Sequence, residues 1–273
     1  MSNISEKEIS LQATEADALE IETSGDKLRT FKGKALFAVL MISVFMVIFH
    51  LYTGATRPFT AILQRGVHLN LGLIIVFLFY PLHTKYKNKG WVLGVDIFLG
   101  VLTTVCIWYY ILGEPNLAYR IGNPTQLDVI ISTLGICLAL EAVRRTIGKG
   151  FVILGVVVIL YGGYLMPGFL WHHGLNFSWF VTNLFLTTSG VFTTPLAVSA
   201  NYAFLFIVFG AAMKISGGGQ AFIELATILM GRLRGGPAKV AVLASALMGM
   251  INGSPVANVS STGCLPIPLM KKT

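Results

Sequence analysis

Apolar residues fall into long runs, each of a length that suits a helix crossing a hydrocarbon layer. The first covers Ala35–Gly54, and the next, slightly short, covers Val67–Leu82. Three more follow at Trp91–Leu112, Leu127–Val143 and Phe151–Met166, and after a wetter stretch Pro195–Met213 is the last. The pattern predicts an all-α integral membrane protein, a multi-span helical bundle. Two stretches depart from it. Phe177–Thr188 mixes aromatics with Thr182, Asn183, Thr187 and Thr188. Gln220–Arg234 sets Glu224, Thr227, Gly231 and Arg234 at helical spacing in an otherwise apolar segment. That stripe suits an amphipathic helix lying at the interface, and a short span packed in a bundle fits it as well.

Composition agrees with the pattern. Of 273 residues, 55% are hydrophobic and only 12% are charged, where a soluble domain carries about 25% charged residues. The net charge of +8 could suggest nucleic acid, but the basic residues sit in short clusters between apolar runs and form no groove. Lys27, Arg29, Lys32 and Lys34 precede the first run; Lys85, Lys87 and Lys89 follow the second; Arg144, Arg145 and Lys149 follow the fourth. The intervening loops carry only Arg57, Arg65 and Arg120. The positive-inside rule therefore places the N-terminus in the cytoplasm. Trp91, Trp108, Tyr109 and Tyr110 suit interfacial anchors. The first 26 residues are acid-rich and cannot bury a core, which predicts a disordered or loosely helical tail. They lack the basic start and early apolar run of a secretory signal.

Other candidate chemistry is sparse. Cys106, Cys137 and Cys264 lie in apolar segments with no metal-ligand spacing and are expected to be small buried residues. Asp96, Asp128 and Glu141 lie in or near spans, where capping or ion pairing with Arg144 and Arg145 accounts for the last two. Asp96 has no partner readable from its neighbours. His172 and His173 sit on a loop expected outside, where they suit an interfacial or docking role.

The most informative stretch runs from Gly235 to Lys272. Gly235-Gly236 ends one helix, and Pro237 suits the first position of the next. A helix from Pro237 to Met250 would be about 21 Å long, too short for a hydrocarbon core of about 30 Å. Asn252-Gly253-Ser254 interrupts it, Ser254 and Pro255 suit a new helix start, and Pro266 and Pro268 disturb that helix before Lys271-Lys272. Basic residues flank both ends: Arg232, Arg234 and Lys239 before, Lys271 and Lys272 after. This predicts a re-entrant helical hairpin that enters and leaves on one side. Broken backbone at that depth is tolerated where it is buried in protein or lines a wet cavity. Carbonyls at the end of the first half-helix suit a cation such as sodium; amides at the start of the second suit a carboxylate. Asn252, Ser254, Asn258, Ser260, Ser261 and Thr262 add neutral polar groups, and Gly249, Gly253, Ala257 and Gly263 allow close approach. A small-residue packing motif, with Ser and Thr bonded to their own backbone, is the other reading of the same residues.

At this segment the sequence resembles a known family. GRLRGGPAKVAVLASALMGMINGSPVANVSSTG is similar to the first hairpin region of TRAP transporter permeases. The upstream stretches YRIGNPTQLDVIISTLGICLALEAVRRTIG and LTTSGVFTTPLAVSANYAFLFIVFGAAMKISGGGQAFIELA agree. The chain resembles the fused form, small and large membrane subunits in one chain, that works with TAXI-type periplasmic binding proteins. The resemblance implies a secondary transporter of the bacterial or archaeal inner membrane, driven by a sodium or proton gradient. A periplasmic binding protein would deliver an organic anion, a carboxylate. Residues 1–33 would be a cytoplasmic polar tail, 34–148 a small-subunit-like scaffold with four spans, and 149–273 the start of a large-subunit-like transport domain. The family's hairpin-tip residues fall on Gly253-Ser254, Ala257-Asn258 and Thr262-Gly263. With Asn252 and Ser261 these form the candidate substrate and ion site, sodium lying near Gly253, Ser254 and Asn258. No catalytic residue, resident metal or cofactor is expected. Inverted-repeat transporters build their site from two hairpins, so the chain, reaching only the first, is expected to be an incomplete permease, inactive alone.

The rival readings are an intramembrane serine hydrolase using Ser254, which would need a histidine base within reach, and a passive channel or scaffold protein. His50, His68, His83, His172 and His173 all lie outside the hairpin, near the expected span ends.

Overall fold

The protein is described by a computed structural model, which covers residues 28–31, 33–83, 86, 89–120, 122–162, 175–250, 258, 262 and 270. Among these, every regular element is a helix: α1 Gly33–Ala55, α2 Ala61–Phe79, α3 Gly90–Leu117, α4 Gln126–Thr146, α5 Lys149–Gly162, α6 Phe177–Phe185, α7 Thr194–Val198, α8 Phe204–Ile215, α9 Gly218–Met230 and α10 Gly236–Gly249. A π-helical turn, Ser199–Ala203, joins α7 to α8. Five helical stretches are long and apolar enough to cross a membrane: Ala35–Ala55, Ala61–Phe79, Gly90–Leu117, Gln126–Thr146 and Thr194–Met213. They match five of the six apolar runs. The sixth is α5, a shorter apolar helix whose expected extension to Met166 lies outside the described residues.

The chain divides into two compact units, one of residues 27–201 and one that holds residues 202–273. The division falls after the boundary at residue 148 expected from the resemblance; a junction between ancestral subunits and a packing division need not coincide.

In the first unit α2, α3 and α4 pack on one another and carry the core, with α1 against α2, and α5 and α6 against α4. The core joins Leu73, Phe77, Cys106, Ile107, Tyr110, Ile136, Leu138, Phe185 and Phe192. Burial of such side chains from water stabilises the bundle where it meets solvent, but within lipid close packing replaces that drive. Gly135 shows the consequence: it lies against the Phe185 ring, where a Cβ would overlap the ring carbons. On α1 the buried residues Val39, Met46, His50 and Thr53 make a single stripe at heptad-like spacing, while Phe37, Phe45, Ile48 and Tyr52 face outward. An outward apolar face is the expected face toward lipid tails.

Two expectations are corrected. Tyr110 is no interfacial anchor: it is only 1% exposed and packs on Phe192, ring centroids 4.8 Å apart. Cys106 is buried as expected, but Cys137 is exposed on α4, on a face its apolar neighbours could not reveal. Trp91 and Trp108 are exposed as anchors would be.

In the second unit α9 and α10 pack together through Ile223, Ala226, Val240 and Ala244. Gly235 enters α10 with φ 73°, the left-handed region that costs glycine least, and Pro237 stands in the first turn as its fixed φ requires. On α9, Ile223 and Ala226 face α10, while Glu224, Leu225, Ile228 and Leu229 are exposed. The polar stripe is thus interrupted by apolar exposed positions.

Candidate functional site

The candidate site begins at the end of α10. Of its residues the structure describes Asn258 and Thr262; Asn252, Gly253, Ser254, Ala257, Ser261 and Gly263 lie outside the described residues. Asn258 reaches back to α10. Its Nδ2 donates to the Ser245 carbonyl at 3.1 Å and stands 3.3 Å from the Ser245 hydroxyl. Gly249 faces the same amide, and a Cβ there would come within 3.3 Å of Nδ2. Thr262 is 5% exposed and donates its hydroxyl to the Asn258 carbonyl at 2.7 Å, one helical turn earlier. A side chain thirteen residues beyond Ser245 can touch its backbone only if the chain has folded back. Asn258 therefore lies beside α10 and not beyond its end. Short neutral residues serve this geometry, since a glycine at 249 leaves room for the amide that crosses.

The first unit holds three buried polar systems that sequence reading reached only partly. At one end, Arg29 Nη2 donates to Asp96 Oδ2 at 2.7 Å and Arg145 Nη1 to Asp96 Oδ1 at 2.6 Å. Arg145 Nε binds Glu141, which also takes two bonds from Arg144. Arg29 and Arg145 further donate to the carbonyls of Leu78 and Tyr80 at the end of α2. The Arg145 guanidinium also lies over the Phe77 ring, 5.0 Å from its centroid. Asp96 thus has two cationic partners, and three arginines balance two carboxylates. These contacts gather the start of α1, the end of α2, the start of α3 and the end of α4 at one end of the unit. Arg29, Arg144 and Arg145, from two of the basic clusters assigned to one side by the apolar runs, share an end.

At the far end of α4, Asp128 forms a capping box with Thr125. It also accepts from the Tyr109 hydroxyl at 2.7 Å and lies 3.5 Å from Arg120. This is the structural role expected for it. A small, open cleft lies beside it, lined in part by Arg120, Trp179, Thr182 and Asn183.

The third system joins the last third of α1 to the first half of α2. His50 Nδ1 meets the Met46 carbonyl at 2.7 Å, His50 Nε2 meets His68 Nδ1 at 2.9 Å, and His68 Nε2 meets the Ser199 hydroxyl at 3.0 Å. Gln64 Nε2 donates to the Thr53 hydroxyl beside it. Sequence reading placed His50 and His68 near span ends and missed the pair. Both fall on the inward faces of their helices, the one signal available. His172 and His173 lie outside the described residues. Among the described residues no group of His, Cys, Asp and Glu could hold a metal ion.

Comparison with known proteins finds one family. The model described as "Tripartite ATP-independent periplasmic transporter, DctM component" matches residues 134–273. That range starts within α4 and runs past the end of α10. No curated protein and no solved structure matches the chain.

Proposed function

We propose that this chain, which belongs to the family of tripartite ATP-independent periplasmic transporter DctM components, is the permease of a secondary transporter importing an organic anion under a sodium or proton gradient. A membrane component of this family works with a periplasmic binding protein; we assign that partner to the TAXI type and the anion to the carboxylates. The lipid bilayer is its other partner. The family is one of transporter components, so transport, not catalysis, is the activity assigned.

The observation that carries the reading is the reversal after α10, pinned by Asn258 on Ser245. A short half-helix ending at a turn presents free carbonyls there, and a second half-helix presents free amides. The first would favour a coupling cation and the second a carboxylate. Asn252, Gly253, Ser254, Ala257, Asn258, Ser261, Thr262 and Gly263 form the proposed site, with sodium as candidate coupling ion near Gly253, Ser254 and Asn258. The shared end of Arg29, Arg144 and Arg145 supports a cytoplasmic N-terminus in the inner membrane. The fused small-and-large organisation accounts for residues 34–148, which precede most of the matched range.

The test is Ser254→Ala and Asn258→Ala in the transporter that contains this chain. Both variants insert in the membrane at wild-type levels and lose most uptake. Wild-type kinetics in both would remove the hairpin tip from the site.

A further inference from the structure

The buried histidine pair has no part in the hairpin site, and its hydrogen bonds have a direction. The Met46 carbonyl can only accept, so His50 Nδ1 must carry a proton. In the neutral ring Nε2 is then an acceptor, so His68 Nδ1 must donate to it. His68 Nε2 is left as an acceptor, and the Ser199 hydroxyl donates to it. One backbone carbonyl thus fixes both tautomers and the hydroxyl through residues on α1, α2 and the π-helical turn. His50 is 1% and His68 8% exposed.

We infer that His50, His68 and Ser199 form a proton-binding site within the membrane-spanning bundle, which takes a single proton at His68 Nε2. The incoming proton occupies the Nε2 lone pair, and His68 becomes an imidazolium that donates to His50 through Nδ1 and to Ser199 Oγ through Nε2. The Ser199 hydroxyl hydrogen then turns away from the ring. A backbone acceptor stands in reach one turn earlier, at Pro195, whose carbonyl already faces the Ser199 amide. Helical Ser and Thr hydroxyls of this protein adopt that bond at Ser43, Thr103, Ser132, Thr146 and Thr227. Ser199 is held off it by His68. No heavy atom need move, so the site has two states of one geometry. A second proton does not fit, because His50 Nε2–H and His68 Nδ1–H would meet head to head across 2.9 Å.

The titratable groups on the surrounding elements have work of their own. On α2 Arg65 donates to the Phe192 carbonyl. On α3 Asp96 is held by Arg29 and Arg145, and Tyr109 by Asp128; Cys106 and Tyr110 are buried in the core, and Glu114 lies near the Tyr110 hydroxyl. On α4 Asp128, Glu141, Arg144 and Arg145 are ion-paired. On α1 Tyr52 faces outward, and α7 carries no titratable side chain. Ser199 opens the π-helical turn Ser199–Ala203, an irregularity that tends to occur at functional positions. The proton therefore changes a bond at the start of that turn.

The inference does not depend on the transport reading, and its test reads the proton directly. The whole chain, labelled with ¹⁵N-histidine in lipid nanodiscs, is followed by NMR from about pH 8 to about pH 3, through and below the ordinary histidine range. His68→Gln and His50→Gln assign the signals. At the upper pH both rings are neutral with the proton on Nδ1; on acidification His68 gains a second ring proton and His50 stays neutral. Ser199→Ala shifts the His68 midpoint. Neutral rings with the proton on Nε2, a His68 that stays neutral throughout, or two imidazolium rings at once would each overturn the proposal. The wild-type titration decides even if a variant fails to fold.

Discussion

Arg145 and Asp96 lie 2.6 Å apart, with side chains 1% and 0% exposed, and they join the end of α4 to the start of α3. Arg29 holds the other oxygen of the same carboxylate. Taking away one partner of a buried pair leaves an uncompensated charge, which costs about 3–5 kcal/mol. Asp96→Ala removes the carboxylate that two guanidinium groups share and is expected to lose stability in that range. Arg29→Ala leaves Arg145 in place and costs less. Thermal unfolding in one detergent ranks the two; an Arg29 variant weaker than the Asp96 variant would contradict the assignment.

Gly135 lets the Phe185 ring seat on α4. Gly135→Val overpacks that contact and costs about 1–3 kcal/mol. Phe185→Ala opens space, so the double variant is less unstable than the sum of the two single ones. Strict additivity in the same melting assay would mean that the side chains do not meet.

Asp128 is a cap and an anchor together, accepting from Thr125 and Tyr109. Thr125→Ala removes the hydroxyl arm of the capping box and costs about 1 kcal/mol. Asp128→Ala removes the whole hub and costs more, with faster hydrogen exchange confined to the first turn of α4. Equal losses would leave Tyr109 and Arg120 without a role here.

These contacts mark the limit of what the chain's pattern showed. The long apolar runs fixed five spans because length and hydropathy need no partner. Pro237 after two glycines marked the start of α10, and Asp128 at the start of a run pointed to capping, since both signals are local. Asp96 to Arg145, and His50 to His68 to Ser199, were hidden for one reason. Each depends on how a helix is rotated against its neighbour, and a helix as evenly apolar as α1 carries little rotational signal. Tyr110 was misread because an aromatic near a run's end looks alike whether it faces headgroups or a core. The tie from Asn258 to Ser245 was not legible either, because it joins residues thirteen apart that no local signal pairs.

That tie predicts a cross-link. With Cys106, Cys137 and Cys264 replaced by Ala, a Ser245→Cys, Asn258→Cys pair is expected to join under a short thiol-bridging reagent in native membranes. A control pair placing the second cysteine at Met230, on α9, is expected not to. Failure of the first pair, or equal yield from both, would deny the chain reversal.

The most direct measurement is uptake into proteoliposomes holding the transporter that contains this chain. A purified TAXI-type binding protein loaded with a radiolabelled carboxylate is added outside, and sodium and pH gradients are imposed separately. The expected result is saturable accumulation above the outside concentration that needs both the binding protein and one inward cation gradient. Uptake that proceeds to equilibrium without binding protein or gradient would make the protein a passive channel and contradict the account.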